Sequence, residues 1–245
     1  MKIMIIGGTS GIGLALALHY LQDGAEVAIC GRDLARVDPA VVAQHAALRL
    51  YALDIANKAA VAAALDDFIG AGKLDLLIVT AGFYFNSPRV TLDESTTLRM
   101  LQTNVSGLHQ AFELAAQKML SHKAGQLVAI ASIAGLLRDS PTGSLYGASK
   151  RAVIGVCEVY RKALAPFGID VTVIVPGYID TAKLRELNGG DASHKPFLMS
   201  EAQAVNRIVQ AIAQRQASCV FPWQMHWLVR LFNCLPSGLR SLRGK

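Results

Sequence analysis

Short, near-continuous apolar runs recur along the chain, separated by longer stretches with helical periodicity. The runs "KIMIIG" (2–7), "AEVAIC" (25–30), "LRLYAL" (48–53), "LDLLIV" (74–79), "QLVAIA" (126–131), "DVTVIV" (170–175) and "SCVFP" (218–222) predict seven strands. Most lack the polar–apolar alternation of a sheet with one wet face. Continuous β-branched and aliphatic residues fit strands covered by helices on both sides. Helices are predicted over 11–23, 57–70, 91–121, 144–167 and 200–216. Gly24 and Gly168 stand where helix C-caps are wanted, and Pro166 falls in the last turn of its helix. Strands alternating with helices predict an α/β fold, doubly wound, with a mostly parallel seven-stranded sheet.

The pattern shows no internal repeat, low-complexity tract or linker, so residues 1–222 are expected to form one domain followed by an extension, 223–245. The most irregular stretch, "KLRELNGGDASHKPFLM" (183–199), carries Gly-Gly, Asp and Pro and predicts a loop or lid. In the extension, Leu228, Leu231, Phe232 and Leu235 follow helical spacing and Pro236 ends the pattern. With Trp223, Trp227 and the basic Arg240, Arg243 and Lys245, this helix is expected on an anionic membrane surface, over its own domain and the substrate pocket, or on a second subunit.

Composition narrows the class. The chain has 245 residues, 52% hydrophobic and only 17% charged, which suits a buried sheet and excludes a disordered chain. The net charge of +6 suits an anionic small molecule, an anionic membrane or a nucleic acid without choosing among them. No recognition-helix pattern or aromatic-basic groove supports nucleic-acid binding. Cys30, Cys157, Cys219 and Cys234 are far apart, with no metal-ligand spacing, and point to a reducing, cytoplasmic setting. "MKIMIIGG" reaches glycine too soon for a signal peptide, and no apolar stretch approaches the ~20 residues that span a bilayer.

Candidate chemistry begins in "IIGGTSGIGLALALHYL", a strand that turns glycine-rich and then amphipathic. Gly7, Gly11 and Gly13, with Thr9, Ser10 and Ile12 between them, form a candidate phosphate loop. Its glycines allow a tight turn and close backbone approach, and the following helix aims its positive end at the same anion. The second strand ends in "CGRD". Gly31 stands where a ribose-binding carboxylate would be, leaving room for a 2′-phosphate that Arg32 is expected to bind. This favours NADP(H), with NAD(H) possible because Asp33 could serve the ribose. Asp54, followed by Ile55, is expected either at the adenine edge or as the N-cap of helix 57–70. Small residues in "TAG" (80–82), Ala81 and Gly82 among them, let a cofactor lie against the backbone.

With "TNVSG" (103–107), "ASIAG" (131–135), "YGASK" (146–150) and "PGYIDT" (176–181) added, the chain resembles the short-chain dehydrogenase/reductase family in its form of about 250 residues, a Rossmann-like fold. The resemblance runs through residue 181. It implies Asn104, Ser132, Tyr146 and Lys150 as catalytic residues, and hydride transfer between a nicotinamide and a carbonyl or alcohol carbon. Tyr146 and Lys150, four apart, share a helix face, where an ammonium lowers the phenol pKa from its usual value near ~10. Lys150, Tyr146 and Asn104 are also expected beside the cofactor, with Lys150 on the nicotinamide ribose and Asn104 opening a carbonyl to a proton relay. Ser132 is expected to hold the substrate oxygen. Pro176 and Gly177 bend the chain under the nicotinamide, Ile179 and Thr181 contact its carboxamide side, and Tyr178 either lines the substrate pocket or packs. Leu184, Leu187, Phe197, Leu198 and Met199 in the lid suggest an apolar carbonyl substrate.

The sequence departs from the family at Ile6, where a threonine is usual, and at Thr80, where asparagine is usual. It also carries one extra residue between Ser132 and Tyr146, expected to bulge over the site. A homodimer or homotetramer is expected from the helices at 91–121 and 144–167. The reading other than an enzyme is a cofactor-sensing binding protein that keeps the fold, which the complete four-residue set disfavours.

Overall fold

The computed structural model describes residues 1–84, 93–138 and 144–235. Its strands are β1 (Lys2–Ile6), β2 (Glu26–Gly31), β3 (Leu48–Ala52), β4 (Leu76–Val79), β5 (Gly125–Ile130), β6 (Ile169–Pro176), β7 (Ile179–Asp180), β8 (Met199–Ser200) and β9 (Ser218–Phe221). Seven of them form one sheet in the order β3-β2-β1-β4-β5-β6-β9. Every neighbouring pair is parallel, so each of the seven apolar runs becomes a strand of the same sheet.

The helices are α1 (Gly11–Gln22), α2 (Pro39–Gln44), α3 (Lys58–Ile69), α4 (Glu94–Leu101), α5 (Leu108–Leu120), α6 (Leu145–Leu164), α7 (Ala182–Glu186), α8 (Glu201–Ala213) and α9 (Trp223–Cys234). They explain why the strands are apolar throughout. Along β1, Met4 and Ile6 enter one core with Leu65 of α3, Phe112 of α5 and Cys157 of α6. Ile3 and Ile5 enter the other, with Leu16 of α1 and Ile208 of α8. Each fully buried aliphatic chain contributes about 1.5–3 kcal/mol, so both faces of the strand stabilise the fold.

The strand order reverses at β1, which pairs with β2 on one side and β4 on the other. Ile6 is level with Cys30 and with Val79, so three strand tips end together. Their C-terminal ends open a crevice at the switch point, where ligands bind in open α/β sheets.

The expected helix 91–121 is instead two helices joined by a π-helical segment, Gln102–Gly107. Its described part starts at Glu94 because Asp93 caps it, accepting from the Thr96 amide at 2.8 Å and the Ser95 hydroxyl at 2.6 Å. Those bonds hold the Asp93 carboxyl down at about 2. Residues 91 and 92 lie outside the described residues. The stretch 183–199 is more ordered than expected: it opens in α7 and closes in β8, which pairs with β7. α2 was not foreseen, being only a turn and a half, capped by Asp38 and begun by Pro39. Gly24 and Gly168 do take left-handed backbone after their helices, with φ of 77° and 70°.

Candidate functional site

The crevice holds a cleft of about 790 Å³. Gly7, Thr9, Ser10, Gly11, Ile12 and Gly13 line one end of it, with Arg32, Asp54, Ile55, Ala81, Gly82 and Thr181 further along. Close packing dictates two of the glycines. A Cβ on Gly13 would lie 2.4 Å from the Gly7 carbonyl oxygen, and one on Gly7 would lie 2.4 Å from the Ala81 nitrogen. Thr80 joins this contact by donating to the Ile6 carbonyl at 3.2 Å. The hydroxyl that the resemblance wanted at position 6 is therefore replaced by a bond from the neighbouring strand.

Ser10 precedes α1 in extended backbone but its side chain makes no cap bond, and the first turn has no acid. By contrast, side chains cap α2, α3, α4, α6, α7 and α8. The first N–H groups of α1 thus lack side-chain acceptors and lie beside the glycine end of the cleft, the arrangement that suits an anion.

The space at Gly31 differs from the expectation. A Cβ there would meet the Thr9 side chain at 2.6 Å, so the missing side chain makes room for Thr9. Glycine is required here by its neighbour, and the argument for phosphate rests on the cations. Arg32 lines the cleft and is exposed. Asp33 lines the cleft too, and its carboxylate accepts from the Ala35 amide at 3.1 Å and pairs with Arg36 at 3.3 Å. Arg36 lines the same cleft and was missed in the sequence, where nothing but its position four residues after Arg32 marks it.

Asp54 also lines the cleft, and it does not cap α3. Asn57 does, accepting from the Ala60 amide at 3.1 Å, while Asp54 accepts from Ala56 at 2.9 Å. Thr181 caps α7 through the Leu184 amide at 3.1 Å, and α7 places Lys183 and Glu186 along the cleft. Pro176, Gly177 and Ile179 are not among its lining residues. Ile179 is buried in the core beneath, and the Gly177 amide donates to the Phe221 carbonyl at 2.7 Å.

The four candidate catalytic residues gather just behind the cleft wall. Lys150 is buried and its Nζ donates to the Ile130 carbonyl at 2.8 Å. It also stands 5.8 Å from the centroid of the Tyr146 ring, one turn earlier on α6. Asn104 is buried in the π segment and faces inward. Its Oδ1 accepts from the Phe83 amide at 2.6 Å, and its Nδ2 donates to the Phe83 carbonyl at 3.0 Å and to Ser149 Oγ at 3.0 Å. Ser149 in turn donates to the Tyr146 carbonyl at 2.8 Å. A π segment widens one turn of a helix, and such insertions recur at functional sites. Here it brings one side chain to the end of β4 and to α6 at once. Ser132 follows β5 and caps a 3-10 turn, Ile133–Leu136, through the Ala134 amide at 3.2 Å.

The electrostatics differ from the simple tyrosine–lysine expectation. Burial pushes the Tyr146 phenol up to about 12, with the Ser132 hydroxyl acting in the opposite direction and Tyr84 adding to the rise. Burial pulls the Lys150 ammonium down to about 8. The Tyr146 phenol is therefore protonated at neutral pH.

Two further residues near this end were missed. Tyr84 stacks on Tyr146 with ring centroids 4.6 Å apart, and its own phenol is raised by burial and by Tyr178. Tyr178 carries Lys195 Nζ at 5.5 Å from its ring. Only the aromatic run after "TAG" hinted at Tyr84. Asn233 of α9 clamps the backbone that follows Ser132: its Nδ2 donates to the Leu136 carbonyl at 2.7 Å, and its Oδ1 accepts from the Arg138 amide at 2.9 Å. No local pattern could have shown a partner about a hundred residues away. Residues 139–143, in the stretch expected to bulge over the site, lie outside the described residues.

A family model of short chain dehydrogenases matches residues 1–192. An "uncharacterized oxidoreductase" of Myxococcus xanthus is 30% identical over 242 residues, covering 96% of this chain and 93% of the relative. The 2-dehydro-3-deoxy-L-rhamnonate dehydrogenase (NAD(+)) of a Sphingomonas species is 32% identical over 189 residues, covering 75% of this chain and 74% of the relative. Among solved structures, a short-chain dehydrogenase of Sphingobium yanoikuyae in complex with NADPH superposes with a TM-score of 0.81 at 22% identity, covering 96% of both chains.

Proposed function

Because the chain belongs to the short-chain dehydrogenase/reductase family of oxidoreductases, we propose that it is an NADP(H)-dependent enzyme that interconverts a carbonyl compound and an alcohol, with Tyr146 as the acid or base. One observation carries the reading: Tyr146, Lys150, Ser132 and Asn104 converge at the end of the sheet where the glycine-lined cleft runs. A binding protein that only senses a cofactor has no use for a protonated phenol held beside that cleft.

The cleft fits a dinucleotide. Its backbone-lined floor admits no Cβ at Gly7 or Gly13, and the uncapped start of α1 supplies amide donors for a pyrophosphate. Arg32 would hold a 2′-phosphate, with Arg36 alongside, while Asp33 is occupied by Arg36 and the Ala35 amide. Thr181 and the backbone of Ala81 and Gly82 would flank the nicotinamide half. When bound, the nicotinamide supplies or accepts the hydride at the substrate carbon.

The remaining chemistry belongs to side chains. In the reducing direction Tyr146 Oη donates its proton to the substrate oxygen, and a phenol held near 12 is fully protonated at neutral pH for that step. The Ser132 hydroxyl donates to the same oxygen as negative charge develops there. Lys150 stays mostly charged at pH 7 and steadies the phenolate left behind. Asn104 holds Phe83, Ser149 and thereby the first turn of α6 in register. In the oxidising direction the proton moves the other way, and Tyr146 must first lose it with the help of Lys150.

Tyr84, Tyr178 and the apolar residues of 183–199, Phe197 among them, favour an apolar carbonyl substrate. A screen of ketones, aldehydes, steroids and acyl thioesters, following NADPH and NADH oxidation, tests the proposal. It predicts turnover of an apolar carbonyl compound with NADPH preferred. Tight NADPH binding with no turnover of any class would favour the sensing protein instead.

A further inference from the structure

The inner face of α9 is accounted for. Val229 is buried, Asn233 clamps the segment after Ser132, and a Cβ on Gly177 would lie 2.6 Å from Met225 Sδ. The outer face is not. Trp223, Trp227, Leu228, Leu231 and Leu235 are 66, 62, 53, 66 and 39% exposed, five of the eleven large hydrophobic residues exposed among the described residues. Trp223, Trp227 and Leu231 succeed one another at four-residue steps, one line along the helix. Of the apolar spacing seen in the sequence, Leu228, Leu231 and Leu235 face outward and Phe232 is half-buried. An apolar stripe of this kind marks an interaction surface.

Charge identifies the partner. Arg230 lies with its guanidinium 5.6 Å from the centroid of the Trp227 ring. Residues 223–245 contain Arg230, Arg240, Arg243 and Lys245 and no aspartate or glutamate. We propose that α9 seats its outer face in the interface of an anionic lipid bilayer, with the tryptophans and leucines at the acyl boundary and Arg230 among the headgroups. The helix is too short to cross a membrane, and no helix among the described residues is long and apolar enough to do so. A second copy of the chain on the same face would bring two sets of cations together with no carboxylate in the segment to pair them. This claim stands apart from the hydride-transfer reading, since binding needs no turnover.

Trp223 and Trp227 are the only two tryptophans of the chain, so intrinsic fluorescence reports on α9 alone. The full-length protein is titrated with vesicles of phosphatidylcholine, with and without phosphatidylglycerol, at low and high salt, with co-sedimentation in parallel. Anionic vesicles should shift the emission to the blue and carry the protein down. Partitioning should be at least about tenfold weaker with neutral vesicles or at high salt. The double variant Trp227→Ser/Leu231→Ser should weaken it by at least about tenfold while keeping the wild-type thermal unfolding, with Trp223 still reporting. Three results would overturn the proposal: no shift and no sedimentation with anionic vesicles, equal binding of the double variant, or a blue shift in lipid-free buffer that tracks self-association. The last would assign the face to a second copy.

Discussion

The two ends of the cleft are built from different materials. The glycine end is backbone: Gly7, Gly13 and Ala81 touch so closely that no side chain fits between them, and the start of α1 offers bare amides. The chemical end is side chain: buried Asn104, Ser149 and Lys150 and half-buried Tyr146 are linked through the loop after β4 and the first turns of α6. The first is ready for an anion without any residue having to titrate. The second holds two titratable groups away from their ordinary values by burial, the phenol up and the ammonium down. Binding and chemistry can therefore be broken separately.

Gly13→Ala should do the most damage at the glycine end. The added methyl would lie 2.4 Å from a carbonyl oxygen and 2.6 Å from Thr80 Oγ1, and backbone cannot yield as a flexible side chain can. Overpacking of this kind costs about 1–3 kcal/mol of stability. NADPH affinity should fall by more than about 100-fold, since the pyrophosphate cradle itself is displaced. Calorimetric titration and thermal unfolding measure the two effects.

At the chemical end, Asn104→Ala removes the side chain that accepts from the Phe83 amide and donates to the Phe83 carbonyl and to Ser149 Oγ. Stability should fall by about 2–4 kcal/mol and kcat by about 10- to 100-fold, with NADPH affinity changed far less. Denaturant unfolding and steady-state kinetics test that split. A loss confined to cofactor binding would place Asn104 at the other end.

Arg32→Ala sharpens the comparison within the glycine end. Removing a charged donor to the 2′-phosphate should raise the Kd for NADPH by about 10- to 100-fold and leave NADH nearly unchanged. Equal losses would mean that Arg32 does not read the phosphate.

A pH-dependent contrast concerns Lys150. Its ammonium is depressed from 10.5 to about 8 in the folded chain. Between those values the unfolded chain carries a proton that the folded chain does not, so stability gains as pH rises through that window. Relative to Lys150→Met, the wild type should become steadily more stable from about pH 8 to about pH 10.5. A pH-independent difference would mean that the folded lysine titrates near its ordinary value.

The same contrast explains what the sequence disclosed. The seven sheet strands were legible as apolar runs, most of them apolar on both faces, with the edge strand β3 carrying an exposed Arg49, and the helices from their periodic faces, although 91–121 read as one helix. The glycine end was legible as spacing, although the reason for Gly31 was not: its constraint comes from Thr9, a contact between two strand ends. The chemical residues could be singled out only as a motif. Their bonds join positions far apart in the chain, as Asn104 to Phe83 and Ser149, or Asn233 to Leu136, and periodicity carries no trace of such pairs. Burial, which sets both shifted groups, is a property of the finished fold.

Tyr146→Phe tests the central claim most directly. Phenylalanine keeps the ring that stacks on Tyr84 and removes only the hydroxyl. With a substrate from the carbonyl screen, NADPH should bind the variant within about threefold of wild type, while single-turnover reduction slows by about 1000-fold. Reduction at the wild-type rate by a variant that binds NADPH normally would contradict the assignment of the proton to Tyr146.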